Sequence, residues 1–308
     1  MGNEIVRYGR LKQLKRFKRV YIETTNVCNL DCSFCIKTKR EKLMMDARSF
    51  RHIAEEVSEF TDHVCFHLMG EPLMNGSIGE FLEICSELGL KVNLATNGTL
   101  IGLRSEVLLA APALRKVSFS LHSYEANEMG TSLEEYLKDI LDFAEAASGR
   151  VIIELRLWNL SGELAEGLNS ENEKVVSYIL ERLGLEREIL TLGKGKNGIK
   201  LMEGIYLGFQ ERFVWPEEGT GTSMEHGFCH GMRDHIGILA DGTVVPCCLD
   251  SQGSIPLGNV FETQLKEILS GDRATAIYEG FNGRRLVEDL CKGCTYIRRF
   301  DRKGRNES

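Results

Sequence analysis

Three cysteines stand within eight positions in the stretch TTNVCNLDCSFC, residues 24–35: Cys28, Cys32 and Cys35. Thiolates bind zinc or iron–sulfur clusters, and both ordinarily take four ligands. Three thiolates on a four-iron cube leave one iron with an open position, which is how a catalytic metal site differs from a closed structural one. A structural zinc with a remote fourth ligand is the alternative chemistry for the same three residues.

A second set lies in the last third of the chain. Cys229 precedes the segment HIGILADGTVVPCC (235–248), Cys247 ends it, and Cys291 and Cys294 follow in DLCKGC. A pair three apart, brought back to two remote cysteines, makes a tetrathiolate site for zinc or for a cluster. Cys248 adjoins Cys247, and alternation along a strand points only one of the two at a common site. Cys65 and Cys85 sit alone in apolar periodic segments and read as small core residues.

Composition bounds what these sites serve. The chain has 308 residues, 43% hydrophobic and 27% charged, enough for a large buried core. Its ten cysteines point to metal or redox chemistry in a reducing compartment rather than to disulfides. No apolar run is long enough to span a bilayer and no signal-peptide core opens the chain, so a soluble, cytoplasmic protein with no membrane partner is expected. The net charge of −7 argues against a general nucleic-acid binder.

The elements that must hold the thiols follow from periodicity. Strand patterns at 20–24, 63–69, 91–97, 116–122, 151–158 and 204–210 alternate with helical patterns at 49–60, 78–88, 102–110, 132–147 and 171–184. That order predicts an α/β fold: a parallel sheet in an open, partial (β/α)6 barrel of the TIM type. The strands also alternate internally. Val151, Ile153, Leu155 and Leu157 interleave with Glu154, Arg156 and Trp158; Val117, Phe119 and Leu121 with Ser118, Ser120 and His122. The aliphatic set can pack under helices while the polar set lines the lumen, as a substrate site would require.

After residue 210 the pattern changes. Residues 213–226 read as a linker, and 227–300 as a small α+β module with a hairpin turning at Asp241-Gly242 in a type I′ turn, followed by a helix at 262–271. The segments 1–19 and 301–308 are basic and suit an acidic peptide, a reductant or RNA, or simply a solvated face.

The stretch CNLDCSFC (28–35), following a first barrel strand, resembles the signature of radical S-adenosylmethionine (radical SAM) enzymes. Similarity extends to Gly70-Glu71-Pro72 after the second strand, to ATNG (95–98) after the third and to SFSLH (118–122) at the fourth. The pattern from Cys229 through VVPC and PLGN (256–259) to Cys291 and Cys294 resembles the SPASM module, or its shorter twitch form with one auxiliary cluster. By its place after VVP, Cys247 rather than Cys248 matches the ligand position.

What the resemblance implies is specific. Cys28, Cys32 and Cys35 would hold a [4Fe–4S] cluster whose open iron chelates S-adenosylmethionine, and one electron would release a 5′-deoxyadenosyl radical that abstracts hydrogen. Phe34 would pack near the adenine. The backbone of Gly70, Glu71 and Pro72 would accept the methionine ammonium. Ser120 would meet the ribose or carboxylate, and Arg156 the carboxylate, unless it pairs with Glu154 or Glu23. Asn97 is a further cofactor contact. His67 and His122 are acid–base candidates, and Tyr206 and Glu211 substrate-side ones. Cys229, Cys247, Cys291 and Cys294 would hold a second [4Fe–4S] cluster, with a zinc ribbon as the alternative.

The expected activity is oxidation or cross-linking of a peptide or protein side chain. Radical dehydrogenation of an amino sugar or alcohol is the close second, RNA modification the third, and a non-catalytic zinc or iron–sulfur scaffold the reading outside enzymes. The short N-terminal segment leaves little room for a peptide-recognition domain. An electron donor such as flavodoxin or ferredoxin is expected.

Overall fold

The computed structural model describes residues 17–160, 168–192, 194–195, 198–212, 214–216 and 224–300, with the side chains of 192–197 outside that description. Most of both basic segments, and most of the linker, lie outside the described residues.

Six parallel strands form the barrel wall: β1 (Arg19–Ile22), β2 (His63–Phe66), β3 (Lys91–Thr96), β4 (Leu114–Ser120), β5 (Ile152–Leu160) and, later in the chain, β8 (Ile205–Glu211). Between them run α1 (Ala47–Ser58), α2 (Ile78–Glu87), α3 (Ile101–Ala110), α4 (Leu133–Ala147) and α5 (Ser170–Arg182). These helices start where the sequence supplies caps. Asp46 accepts from Ser49 N at α1, and Ser132 and Glu135 close a reciprocal capping box at α4.

Alternation along the strands is realised. In β5, Ile153, Leu155 and Leu157 are buried in the main core, while Glu154, Arg156 and Trp158 line a cavity on the opposite face. In β1, Val20 and Ile22 join the main core, whereas Tyr21 joins a smaller cluster with Cys65, Leu68, Leu239 and Val245. The sheet therefore has two apolar layers: a large one under the helices and a small one on the lumen side. Cys65 and Cys85 are both buried, as expected of core cysteines.

The sheet is wider than six strands. A short helix α6 (Ile189–Leu192) leads to β6 (Lys194–Gly195) and β7 (Gly198–Met202), which run antiparallel beside β8. At the other edge β9 (His235–Ile238) pairs in parallel with β1, and β10 (Thr243–Val245) and β11 (Gly258–Asn259) follow antiparallel. The order β11-β10-β9-β1-β2-β3-β4-β5-β8-β7-β6 is one open sheet. The C-terminal module thus continues the barrel wall at β1. Helices α7 (Leu265–Ser270), α8 (Asp272–Asn282) and α9 (Asp289–Gly293) complete it.

Three local expectations change. The turn between β9 and β10 is not type I′, which requires positive φ at both central residues. Only Gly242 is left-handed there (φ 86°), and Gly242 N donates to Leu239 O at 2.9 Å, a wider loop that ends on the glycine. The helix expected at 262–271 begins at Leu265. His122 lies beyond β4, in the one-turn helix Leu121–Ser123.

Candidate active site

The first three thiols ride on a loop whose neck is pinned from both sides. Asn26 closes it: its Nδ2 donates to Glu41 O at 2.7 Å and its Oδ1 accepts from Leu43 N at 2.8 Å. Thr25 Oγ1 adds a bond to Leu43 O at 2.9 Å. The turn after β2 packs directly on this neck. Gly70 has φ 74°, and a Cβ there would sit 2.4 Å from Thr25 O, so both the conformation and the space require glycine. Glu71 N then donates to Val27 O at 2.8 Å, and Pro72 opens a one-turn helix.

Glu71 is fully enclosed. Its carboxylate accepts from Leu73 N at 3.0 Å, Thr96 Oγ1 at 2.7 Å and Asn97 N at 2.7 Å. Burial pushes its pKa up to about 7, against the pull of those three donors. The side chain braces the end of β2 to the end of β3. From there Asn97 reaches the thiol loop, with Nδ2 2.9 Å from Asn29 Oδ1 and 3.9 Å from Cys28 Sγ.

A second asparagine was not singled out by sequence. Asn127, in the loop after β4, donates to Cys32 Sγ at 3.1 Å and accepts from Asp31 N at 2.9 Å. Leu30 N also points at Cys28 Sγ, at 3.5 Å. Such N–H donors suit thiolate ligands, because they stabilise charge on sulfur. Without a metal, burial pushes the Cys35 thiol up to about 11, with Cys32 and Cys28 adding like charge. Phe34 packs against His122 (ring centroids 5.0 Å apart) and under the Arg212 guanidinium at 5.5 Å.

The C-terminal module grips the same loop from below. Arg40 donates to both oxygens of the buried Glu23, at 2.8 and 2.6 Å, and through Nε to Ser251 O at 2.9 Å. Gln252 accepts from Lys39 N at 3.0 Å. Glu23 is therefore committed to Arg40.

Arg156 takes the alternative route open to it. Its Nε and Nη2 lie 2.8 and 2.7 Å from Glu154 Oε2, and its guanidinium stacks on Trp158 at 4.2 Å. Lys116 Nζ meets the same oxygen at 2.8 Å. Burial alone would raise the Glu154 pKa, but Arg156 and Lys116 outweigh it and hold it at about 2. Ser120 ends β4 half-buried, in register with Arg156.

Below the strand ends is a cavity of about 880 Å³. Its wall includes His67, Glu154, Arg156 and Tyr206 from the barrel, and Cys229, Cys247, Cys248, Cys291 and Cys294 from the C-terminal module. Like charge links Cys247 to Cys248, Cys229 and Cys291, and Cys291 to Cys229 and Cys294. Cys248 turns the other way, toward the Tyr21 hydroxyl and the lumen-side cluster with Cys65. Gly231 N donates to Cys229 Sγ at 3.3 Å. Among the described residues no three His, Cys, Asp or Glu side chains converge tightly enough to hold a single metal ion. Two all-thiol sets with backbone and amide N–H donors offer the ligand chemistry that iron–sulfur cubes take.

His122 is buried and His67 is half-buried on the cavity wall, and burial with nearby cations pushes their pKa values down to about 4 and about 3. Glu211 is exposed near the end of β8, and its carbonyl accepts from Arg299 at 3.3 Å.

Comparison with known proteins agrees with this geometry. The sequence matches the Radical SAM superfamily over residues 22–163 and the SPASM iron–sulfur cluster-binding domain over 229–295. The S-adenosyl-L-methionine-dependent 2-deoxy-scyllo-inosamine dehydrogenase of Niallia circulans is 21% identical over 291 residues, covering 92% of this chain and 94% of that one. The sporulation killing factor maturation protein SkfB of Bacillus subtilis is 24% identical over 275 residues, 82% of this chain and 64% of its own length. The structure of Streptococcus suis SuiB bound to precursor peptide SuiA superposes with a TM-score of 0.61 at 19% identity, over 98% of this chain and 77% of that one, a likeness of fold. Radical SAM membership implies a [4Fe–4S] cluster with S-adenosylmethionine, and the SPASM domain implies auxiliary iron–sulfur binding. The chain belongs to the radical SAM superfamily and carries a SPASM iron–sulfur domain after its barrel.

Proposed function

We propose that this enzyme carries out a radical two-electron oxidation of a polar substrate group held in the lumen. The observation that carries the reading is that one cavity is walled both by the barrel's polar lumen face and by all four auxiliary cysteines. The bound groups would supply hydrogen-atom abstraction at the barrel top and an electron acceptor beside the substrate. The chain's own residues bind, orient and exclude water.

Cys28, Cys32 and Cys35 would hold the first cluster, and Cys229, Cys247, Cys291 and Cys294 a single auxiliary one. The Gly70–Pro72 backbone, fixed on the loop neck by Glu71 N and Val27 O, would receive the methionine ammonium. Asn97 holds the thiol loop in place, and Ser120 stands at the strand end for a ribose or carboxylate oxygen. Phe34 offers an aromatic face for adenine. Arg156, already paired with Glu154, faces the cavity and fits the substrate better than the methionine carboxylate.

Two substrate classes remain in view. A small polar molecule is favoured by the near-complete mutual coverage with the inosamine dehydrogenase. A peptide or protein side chain, the first expectation from sequence, is favoured by the similarity to SkfB. A cytoplasmic setting with flavodoxin or ferredoxin as donor belongs to the same proposal. It is supported by ten free cysteines and by the lack, among the described residues, of a helix long and apolar enough to cross a membrane.

The test is to incubate the anaerobically reconstituted enzyme with S-adenosylmethionine, dithionite and deuterated candidate substrates. Deuterium appearing in 5′-deoxyadenosine, with product two hydrogens lighter, supports the reading. Absence of 5′-deoxyadenosine from cluster-loaded enzyme counts against it and favours a scaffold.

A further inference from the structure

The sign of charge inverts inside the lumen. The whole chain has 45 acidic and 38 basic residues. Among the described residues the cavity wall has six cations, Lys18, Arg19, Arg115, Lys116, Arg156 and Arg299, against the acids Glu154 and Asp234. Asp234 is matched by Lys18 at 2.8 Å. Among the described lining residues that leaves Glu154 as the acid facing the other cations.

Glu154 does not neutralise them. Lys116 Nζ, Arg156 Nε and Nη2, and Ser118 Oγ all converge on its single oxygen Oε2, at 2.7 to 2.9 Å. One negative charge is shared by two positive ones, and the two cations carry more N–H donors than one oxygen accepts. The three side chains are 15 to 30% exposed, so the surplus charge is shielded from bulk water yet open to the cavity. Low-dielectric walls strengthen such a field and focus it on the space between them. His67 lines the same cavity, and its protonation is opposed by burial and then by Arg156, Arg19 and Lys116, against a smaller pull from Glu154.

We propose that the lumen takes an anionic end of the substrate, a carboxylate or a phosphate, seated on Arg156 and Lys116 with Trp158 holding the guanidinium flat. This rests on the reading of the lumen as the substrate space. An oxyanion there accepts from donors that Glu154 leaves over, and a planar guanidinium suits both groups. An amine cation meets a wall of its own sign. The substrate of this enzyme therefore differs in charge from an inosamine. For a peptide substrate the group is an acidic side chain or a terminal carboxylate.

Saturation-transfer NMR on the anaerobic, cluster-loaded enzyme with S-adenosylmethionine tests this, using glutarate, methyl phosphate and cyclohexylamine as probes. At least one anion is expected to bind saturably and the amine not; the tighter anion identifies the group. Arg156→Gln should weaken the anion about tenfold or more, as loss of a charged hydrogen bond does. Glu154→Gln should tighten it severalfold, an effect of opposite sign that a merely structural role would not produce. Circular dichroism checks that each variant folds, and Lys116→Met provides a second route to the weakening. The proposal is overturned if the amine binds as well as the anions, if Arg156→Gln and Lys116→Met bind anions like the parent, or if Glu154→Gln weakens them. Anion binding without any 5′-deoxyadenosine formation would strike the functional reading instead and leave the anion site standing.

Discussion

Asn127 Nδ2 lies 3.1 Å from Cys32 Sγ, while its Oδ1 accepts from Asp31 N at 2.9 Å. One side chain from the loop after β4 thus both shapes the thiol loop and donates to the Cys32 sulfur. A donor to sulfur stabilises the more negative, reduced state of a cluster. Asn127→Ala should lower the midpoint potential of the first cluster by tens of millivolts, taking ~1 kcal/mol per lost bond and about 59 mV per tenfold for one electron. An EPR-monitored redox titration reads this; an unmoved potential would remove the assignment.

Gly70 and Glu71 brace the loop neck, and their loss should be felt separately. Gly70→Ala places a Cβ 2.4 Å from Thr25 O at a left-handed φ, so roughly 2 kcal/mol or more of destabilisation is expected. Glu71→Gln turns an amide toward backbone N–H groups that now donate to a carboxylate. It should cost about 1–3 kcal/mol and weaken S-adenosylmethionine binding. Thermal unfolding and calorimetric titration of the cofactor distinguish the two effects.

Cys247 and Cys248 are neighbours in sequence that both line the cavity, but only Cys248 meets the Tyr21 hydroxyl. Cys247→Ala should cost the enzyme about half of its iron, one cube of two. Cys248→Ala, on the Tyr21 side, should keep all of it. Equal losses in the two variants would show that the ligand assignment is wrong.

Three histidines with depressed pKa values set an acid limit. Burial depresses His67, His122 and His235 to about 3, about 4 and about 4. Between these values and 6.5 the unfolded chain binds protons that the folded chain does not, so stability rises with pH across that window and is lost as pH falls. Urea unfolding between pH 6.5 and 5 should show a loss of about 1–2 kcal/mol per histidine. His67→Gln should flatten part of the slope.

The parts of the fold that the sequence made legible are those written in local patterns. The two-faced alternation of β5 and the apolar spacing of α4 each announce their element, and the spacing of Cys28, Cys32 and Cys35 announces the site. What escaped are contacts between distant segments. Asn127 carries no periodic signal, and its role exists only once the loop after β4 lies over Cys32. Glu23 and Arg40 meet across 17 positions, and Arg40 also reaches Ser251. The strand Gly198–Met202 and the helix Asp272–Asn282 carry no clear sequence signal. The first is five residues long with two buried positions, and the second has glycines around its end that mask its period. The pairing of β9 with β1 made the second module part of the barrel's own sheet, which no composition shift reveals.

Iron, sulfide and zinc content per chain after anaerobic reconstitution is the most direct test of two clusters, the second on the cavity wall. About eight irons, with matching sulfide and no zinc, are expected for two four-iron cubes. About four irons with one zinc would contradict an iron–sulfur acceptor beside the substrate, and zinc alone would contradict the radical chemistry itself.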